Sequence, residues 1–96
     1  MISSFGDQAT SDLFHGISSR KVRKVPVQIH EMALYKLDII NGAQSLDDLK
    51  SPPGNRLEPL KGDLKGFYSL RINNQWRIIF RWIDTTAHEV RIVDYH

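Results

Sequence analysis

At 96 residues, with 41% apolar residues, no cysteine and a net charge of +2, the chain is sized for one domain spanning 1–96. Such a domain buries roughly two-thirds of its extended-chain surface. Its composition excludes a disordered tail, a disulfide framework and a thiolate metal site. No run approaches the ~18 apolar residues of a membrane span, and "MISSFGDQATSDLF" is not built like a secretory signal, so a cytoplasmic protein is expected.

In chain order, "MISSF" reads as a short first strand. "DQATSDLFHG" makes about two helical turns stopped by Gly16. "ISSRKVRKV" is basic and aperiodic and reads as a mobile connection. The clearest helix is "VPVQIHEMALYKLDIINGA", with Pro26 in the first turn and Gly42 at its end. Ile29, Met32, Ala33, Lys36, Leu37 and Ile40 form its inner stripe, interrupted at Lys36. Ser45 suits the N-cap of a short turn over "SLDDLK", and "SPPGNR" is a loop.

From Leu57 the pattern changes to strands. "RLEPLKG" contains Pro59 and is therefore an edge or bulged strand. "FYSLRI" sets Tyr68, Leu70 and Ile72 against Phe67, Ser69 and Arg71. "WRIIFRWI" sets Trp76, Ile78, Phe80 and Trp82 against Arg77, Ile79 and Arg81, and "HEVRIVDYH" follows after a turn. Helices first and then a meander predict an α+β fold with helices on one face of an antiparallel sheet. The other face is expected to be open, with Phe67 exposed beside Arg71.

That other face is basic. Between Lys50 and Trp82 seven bases (Lys50, Arg56, Lys61, Lys65, Arg71, Arg77, Arg81) stand against Glu58 and Asp63. One reading is a phosphate cradle formed by Lys61, Arg71, Arg77 and Arg81. The other is a sheet face kept soluble and unpaired by charge. "DYH" places Asp94, Tyr95 and His96 together, three groups able to hold or move protons, or else a frayed end. His15, His30 and His88 do not sit at metal-ligand spacings and read as structural or surface residues.

"NRLEPLKGDLKGFYSLRINNQWRIIFRW" followed by "VDYH" resembles the HigB branch of the RelE-like toxins, also called plasmid maintenance killer proteins. The "SPPGNRLE" loop is of the type found in its GraT-like chromosomal members. The resemblance implies a compact RelE-like microdomain with a curved antiparallel sheet. It implies ribosome-dependent cleavage of mRNA in the decoding site without a metal or other cofactor, and a helix-turn-helix, HigA-like antitoxin as partner. Carried over by motif, Lys61 of "PLKGD", Arg77 of "WRIIF" and the closing Asp94, Tyr95 and His96 fall on the family's active-site positions. Arg71, Arg81, Lys65 and Arg56 are the accompanying candidates for RNA phosphates. Glu58 departs from the pattern, since many members carry histidine there. A glutamate can still serve as a base, yet it sets negative charge beside phosphate. That departure sustains a competing reading, a non-catalytic module that binds antitoxin or RNA. A small DNA-binding regulator fits less well, because no helix carries a basic base-reading face.

Overall fold

The computed structural model describes residues 1–95; His96 lies outside the described residues. Two α-helices, α1 (Gln8–Phe14) and α2 (His30–Gly42), precede four strands, β1 (Glu58–Pro59), β2 (Phe67–Arg71), β3 (Trp76–Ile83) and β4 (Thr86–Asp94). The strands form an antiparallel meander in the order β1-β2-β3-β4. The α+β arrangement read from the sequence therefore holds, and Pro59 does lie on an edge strand.

The helices cover one face. Leu70, Ile78, Phe80, Ala87, Val90 and Ile92 of the sheet pack with Leu13, Ala33, Leu37 and Ile40 of the helices. Trp76 and Trp82 border this core, as their alternation predicts. Burying Ala87, Val90 and Ile92 on one side breaks the period of two, so β4 needs one extra residue. A bulge supplies it: Ile79 pairs with Arg91 but Arg81 pairs with His88, and Glu89 adopts a left-handed φ of 53°.

Capping follows local chemistry. The Asp7 carboxylate accepts the Thr10 N–H at 2.8 Å at the start of α1, and Gly16 turns away with a φ of 71°. Thr10 Oγ1 in turn accepts the buried Ile92 N–H at 2.9 Å, which docks α1 on β4. At the short turn Leu46–Lys50, the Asp48 carboxylate reaches back to the Gln44 and Ser45 N–H groups at 2.9 and 3.2 Å.

Several expectations need correction. α2 ends at Gly42, as expected, but it begins only at His30, and Pro26 precedes a separate 3-10 turn, Val27–Ile29, instead of lying in the first turn of the helix. Met32 is 46% exposed, because the helix packs through the narrower stripe Ile29–Ala33–Lys36–Leu37–Ile40. Lys36 is buried rather than interrupting that stripe: its Nζ donates to Oδ1 of the fully buried Asn55. The basic connection contains a 3-10 turn, Lys21–Lys24, with Val22 packed against the core and Val25 buried. The second sheet face is not open: Phe67, Ser69 and Ile79 are all buried on it.

The segment 1–6 pairs in parallel with the outer edge of β4 through Ile2 and Phe5. Ser3 N–H donates to the Ala87 carbonyl at 2.7 Å, and Gly6 N–H to the Val90 carbonyl at 2.8 Å. Gly6 is required by proximity: a Cβ there would lie 2.8 Å from the Glu89 carbonyl oxygen and 3.3 Å from Arg91 Cβ. Gly6→Ala should therefore cost about 1–3 kcal/mol. Urea unfolding, with amide exchange at Val90 to report separation of this segment, checks it. A loss under about 0.5 kcal/mol with unchanged exchange would show that the segment accommodates the methyl.

Candidate active site

The sheet face opposite the helices carries rows of side chains set by strand register. One row runs Glu58–Ser69–Ile79–Arg91 from edge to edge, and the next runs Arg71–Arg77–Val93. A cleft of about 530 Å³ crosses this face. One wall is Glu58 through Lys61 with Leu64, from β1 and the turn Gly62–Leu64 after it; the opposite wall is Arg91 and Val93 through Tyr95, with Ile79 between. Residues about 35 positions apart in sequence thus meet across the sheet.

Of the residues singled out by motif, Glu58, Lys61, Asp94 and Tyr95 line this cleft. Gln75 Nε2 donates to Asp94 Oδ2 at 3.2 Å, and Tyr95 N–H donates to the Gln75 carbonyl at 2.6 Å. The turn after β2 therefore holds the Asp94–Tyr95 segment against the end of β3. His96 lies outside the described residues, and its assignment stands on the sequence motif alone.

Arg77 sits one layer behind. Its Nη1 donates to Ser69 Oγ at 3.0 Å, and its guanidinium lies 4.8 Å from the centre of the Tyr95 ring. Tyr95 thus has a cleft-lining surface and a cation-stacked ring. Arg71 stands directly across from Arg77 and donates to Asn74 Oδ1. Two like charges in register repel one another, which favours an anion bound between or above them.

Arg81 is placed outside the cleft. It forms a 2.8 Å ion pair with Glu89, and its guanidinium lies 4.3 Å from the centre of the Phe67 ring. That cover also explains why Phe67 is buried instead of exposed beside a ligand. Arg56 and Lys65 are exposed and do not line the cleft; Arg56 takes a left-handed φ of 46° after the turn Pro53–Asn55. His15, His30 and His88 bond to local acceptors, the Ser11 carbonyl, the Val25 carbonyl and Thr86 Oγ1, each at 2.7 Å. None of the three lines the cleft.

One cleft residue escaped sequence reasoning. Arg91 lies beside Ile79, yet it belongs to none of the motifs. The available signal was Val90–Arg91–Ile92: two apolar neighbours facing inward leave Arg91 on the face of Arg77.

A family model described as a RelE-like toxin of the type II toxin–antitoxin system HigB matches residues 4–96. The chain belongs to the HigB-like toxins. Its relatives include Toxin HigB-1 of Vibrio cholerae, 46% identical over 68 residues, covering 71% of this chain and 72% of that protein. Endoribonuclease HigB of Proteus vulgaris is 33% identical over 97 residues, covering all of both chains. Among solved structures, a YafQ mutant from E. coli superposes with a TM-score of 0.64 at 14% identity, covering 98% of this chain and 93% of that one. YoeB in the YoeB-YefM complex from Staphylococcus aureus gives 0.61 at 17% identity, covering 100% and 98%. Those structural likenesses establish the RelE-like fold, with two helices on a four-stranded antiparallel sheet. In this HigB-like toxin no helix among the described residues is long and apolar enough to cross a membrane.

Proposed function

We propose that this HigB-like toxin is an endoribonuclease acting on mRNA in the ribosomal decoding site, neutralised by a helix-turn-helix, HigA-like antitoxin. The observation that carries the reading is the cleft itself, which gathers Glu58 and Lys61 from one sheet edge and Asp94 and Tyr95 from the other, with Arg77 stacked behind Tyr95. The printed name of the Proteus vulgaris relative, Endoribonuclease HigB, supports the reaction class. The YoeB-YefM toxin-antitoxin complex supports an antitoxin as the kind of partner.

The chemistry needs only groups that the chain carries. A base removes the proton of the 2′-hydroxyl upstream of the scissile phosphate. The 2′-oxygen bonds to phosphorus as the 5′-oxygen departs, and an acid protonates that leaving oxygen. The products are a 2′,3′-cyclic phosphate and a 5′-hydroxyl. Lys61 and Arg77 stabilise the charge that grows on the phosphate oxygens, with Arg71 adding to the field. His96 transfers protons and Tyr95 orients it, with Glu58 as the alternative base. Asp94 holds its neighbours: its bond from Gln75 fits a positioning carboxylate, and a carboxylate aimed at phosphate would repel it. Among the described residues that line the cleft, Tyr95 is the one aromatic side chain, and no protruding platform for stacking bases stands there. Substrate geometry therefore comes from the ribosome.

Primer extension on mRNA from cells briefly expressing the chain tests this reading, beside a form lacking Tyr95 and His96. Discrete cuts in register with the reading frame are expected from the intact chain only. A folded, antitoxin-binding protein that produces no cuts would establish the non-catalytic module that Glu58 keeps in play.

A further inference from the structure

Among the described residues, each arginine on the sheet face opposite the helices has a visible partner except Arg91 on the cleft wall. Arg81 is spent on Glu89, Arg77 on Ser69 and the Tyr95 ring, and Arg71 on Asn74. Arg91 is half-buried and lines the cleft, yet its guanidinium has no hydrogen-bond or ionic partner among the described residues. Among the described residues Arg91 takes part in no ion pair.

Its placement is built. The bulge at Glu89 turns Val90 and Ile92 inward and sets Arg91 on the cleft face. The stem is then held from outside the sheet, where Gly6 leaves room: a Cβ on Gly6 would come within 3.1 Å of Arg91 Cδ. A side chain held along its stem loses less freedom when its head binds an anion.

Register gives the target. Arg77 pairs with Val93, so Arg91 is its diagonal neighbour across β3 and β4. Diagonal neighbours lie roughly 7–8 Å apart, comparable with the step between successive phosphates of a single RNA strand. We infer that Arg91 binds a phosphate adjacent to the scissile one, making the β4 wall of the cleft a second phosphate subsite beside the one that Lys61 and Arg77 serve. This rests on the ribonuclease reading above. It concerns substrate binding, not the chemical step.

The test uses mRNA on programmed ribosomes, cut by the purified chain, by Arg91→Gln and by Arg91→Lys. Arg91→Gln keeps the stem and removes the charge. It should raise the toxin concentration giving half-maximal rate about tenfold, while the rate at saturation changes little and Arg91→Lys recovers part of the loss. A second arm replaces each phosphate flanking the scissile one by an uncharged methylphosphonate. Neutralising one of the two should weaken the wild-type chain by a similar factor and leave Arg91→Gln no weaker than it already is. Equal sensitivity of wild type and Arg91→Gln to both replacements, or a loss confined to the saturating rate, overturns the subsite while leaving the ribonuclease reading standing. Absence of cutting by the wild-type chain overturns both.

Discussion

Arg77→Ala should reduce cleavage of ribosome-bound mRNA by about 100- to 1000-fold, the usual consequence of removing one well-aimed charged donor from a developing anion. The fold should survive. Arg77 is half-buried and gives up a bond to Ser69 and a stack on Tyr95, but its loss also removes a like charge directly across from Arg71. The two effects oppose each other, and the net change in stability should stay within about 1 kcal/mol. Arg77→Lys separates charge from shape. A lysine supplies the positive charge without the planar fork or the stacking plane for Tyr95, so an intermediate rate is expected. Single-turnover cutting and thermal melting of the three proteins decide the matter. A folded Arg77→Ala protein that cuts at the wild-type rate would remove Arg77 from the mechanism.

The strands were the most legible part of this molecule. Period-two alternation is forced wherever one face of a sheet is buried, and Tyr68, Leu70, Ile78 and Phe80 could be placed by it without knowledge of the rest. The same rule misplaced what depends on partners distant in sequence. Arg81 shares a face with Arg77, but the bulge brings Glu89 within 2.8 Å of it and takes its charge out of the cleft. Arg91 went unassigned because no motif marks it and a cross-strand register cannot be read from one strand. In the helical half, the stripe of α2 correctly picked Ala33, Leu37 and Ile40, while Met32 lies just beyond the face that packs. A periodicity count cannot set the width of that face; the neighbouring elements do. The cleft was legible as a set of residues, Glu58, Lys61, Asp94 and Tyr95, and not as a place. What brings them together is a turn after β1 that crosses toward β4, and its path follows from packing rather than from local propensity.

Lys36 shows how a residue that looks wrong in its own helix is right in the fold, and it leads to the second large effect. Asn55→Ala should destabilise the protein by about 3 kcal/mol. Asn55 is fully buried; its Oδ1 accepts from Lys36 Nζ, and its Nδ2 donates to the Leu49 and Ser51 carbonyls at 3.3 and 3.2 Å. Truncation strands an ammonium group and the Leu49 carbonyl oxygen inside the protein and leaves the part-buried Ser51 carbonyl without this donor. Burial already holds the Lys36 amine below the usual lysine range, and the nearby Arg71 charge pushes it the same way. Between that lowered folded value and the ordinary value of about 10.4, the unfolded chain binds more protons, so stability rises with pH across this window. Below the window the penalty of keeping Lys36 charged is present in full. Without Asn55 the charged form loses its acceptor, so the rise should begin at lower pH and grow larger. Lys36→Met combined with Asn55→Leu should abolish the alkaline rise and recover much of the lost stability, since removing both polar partners leaves less unsatisfied than removing one. Urea unfolding from neutral to alkaline pH measures all of this, and a loss under about 1 kcal/mol with an unchanged pH profile would contradict it. Cutting should follow stability here, although Asn55 does not line the cleft. The loop that Asn55 pins runs straight into Glu58, so the side chain that satisfies a buried lysine also fixes one wall of the cleft.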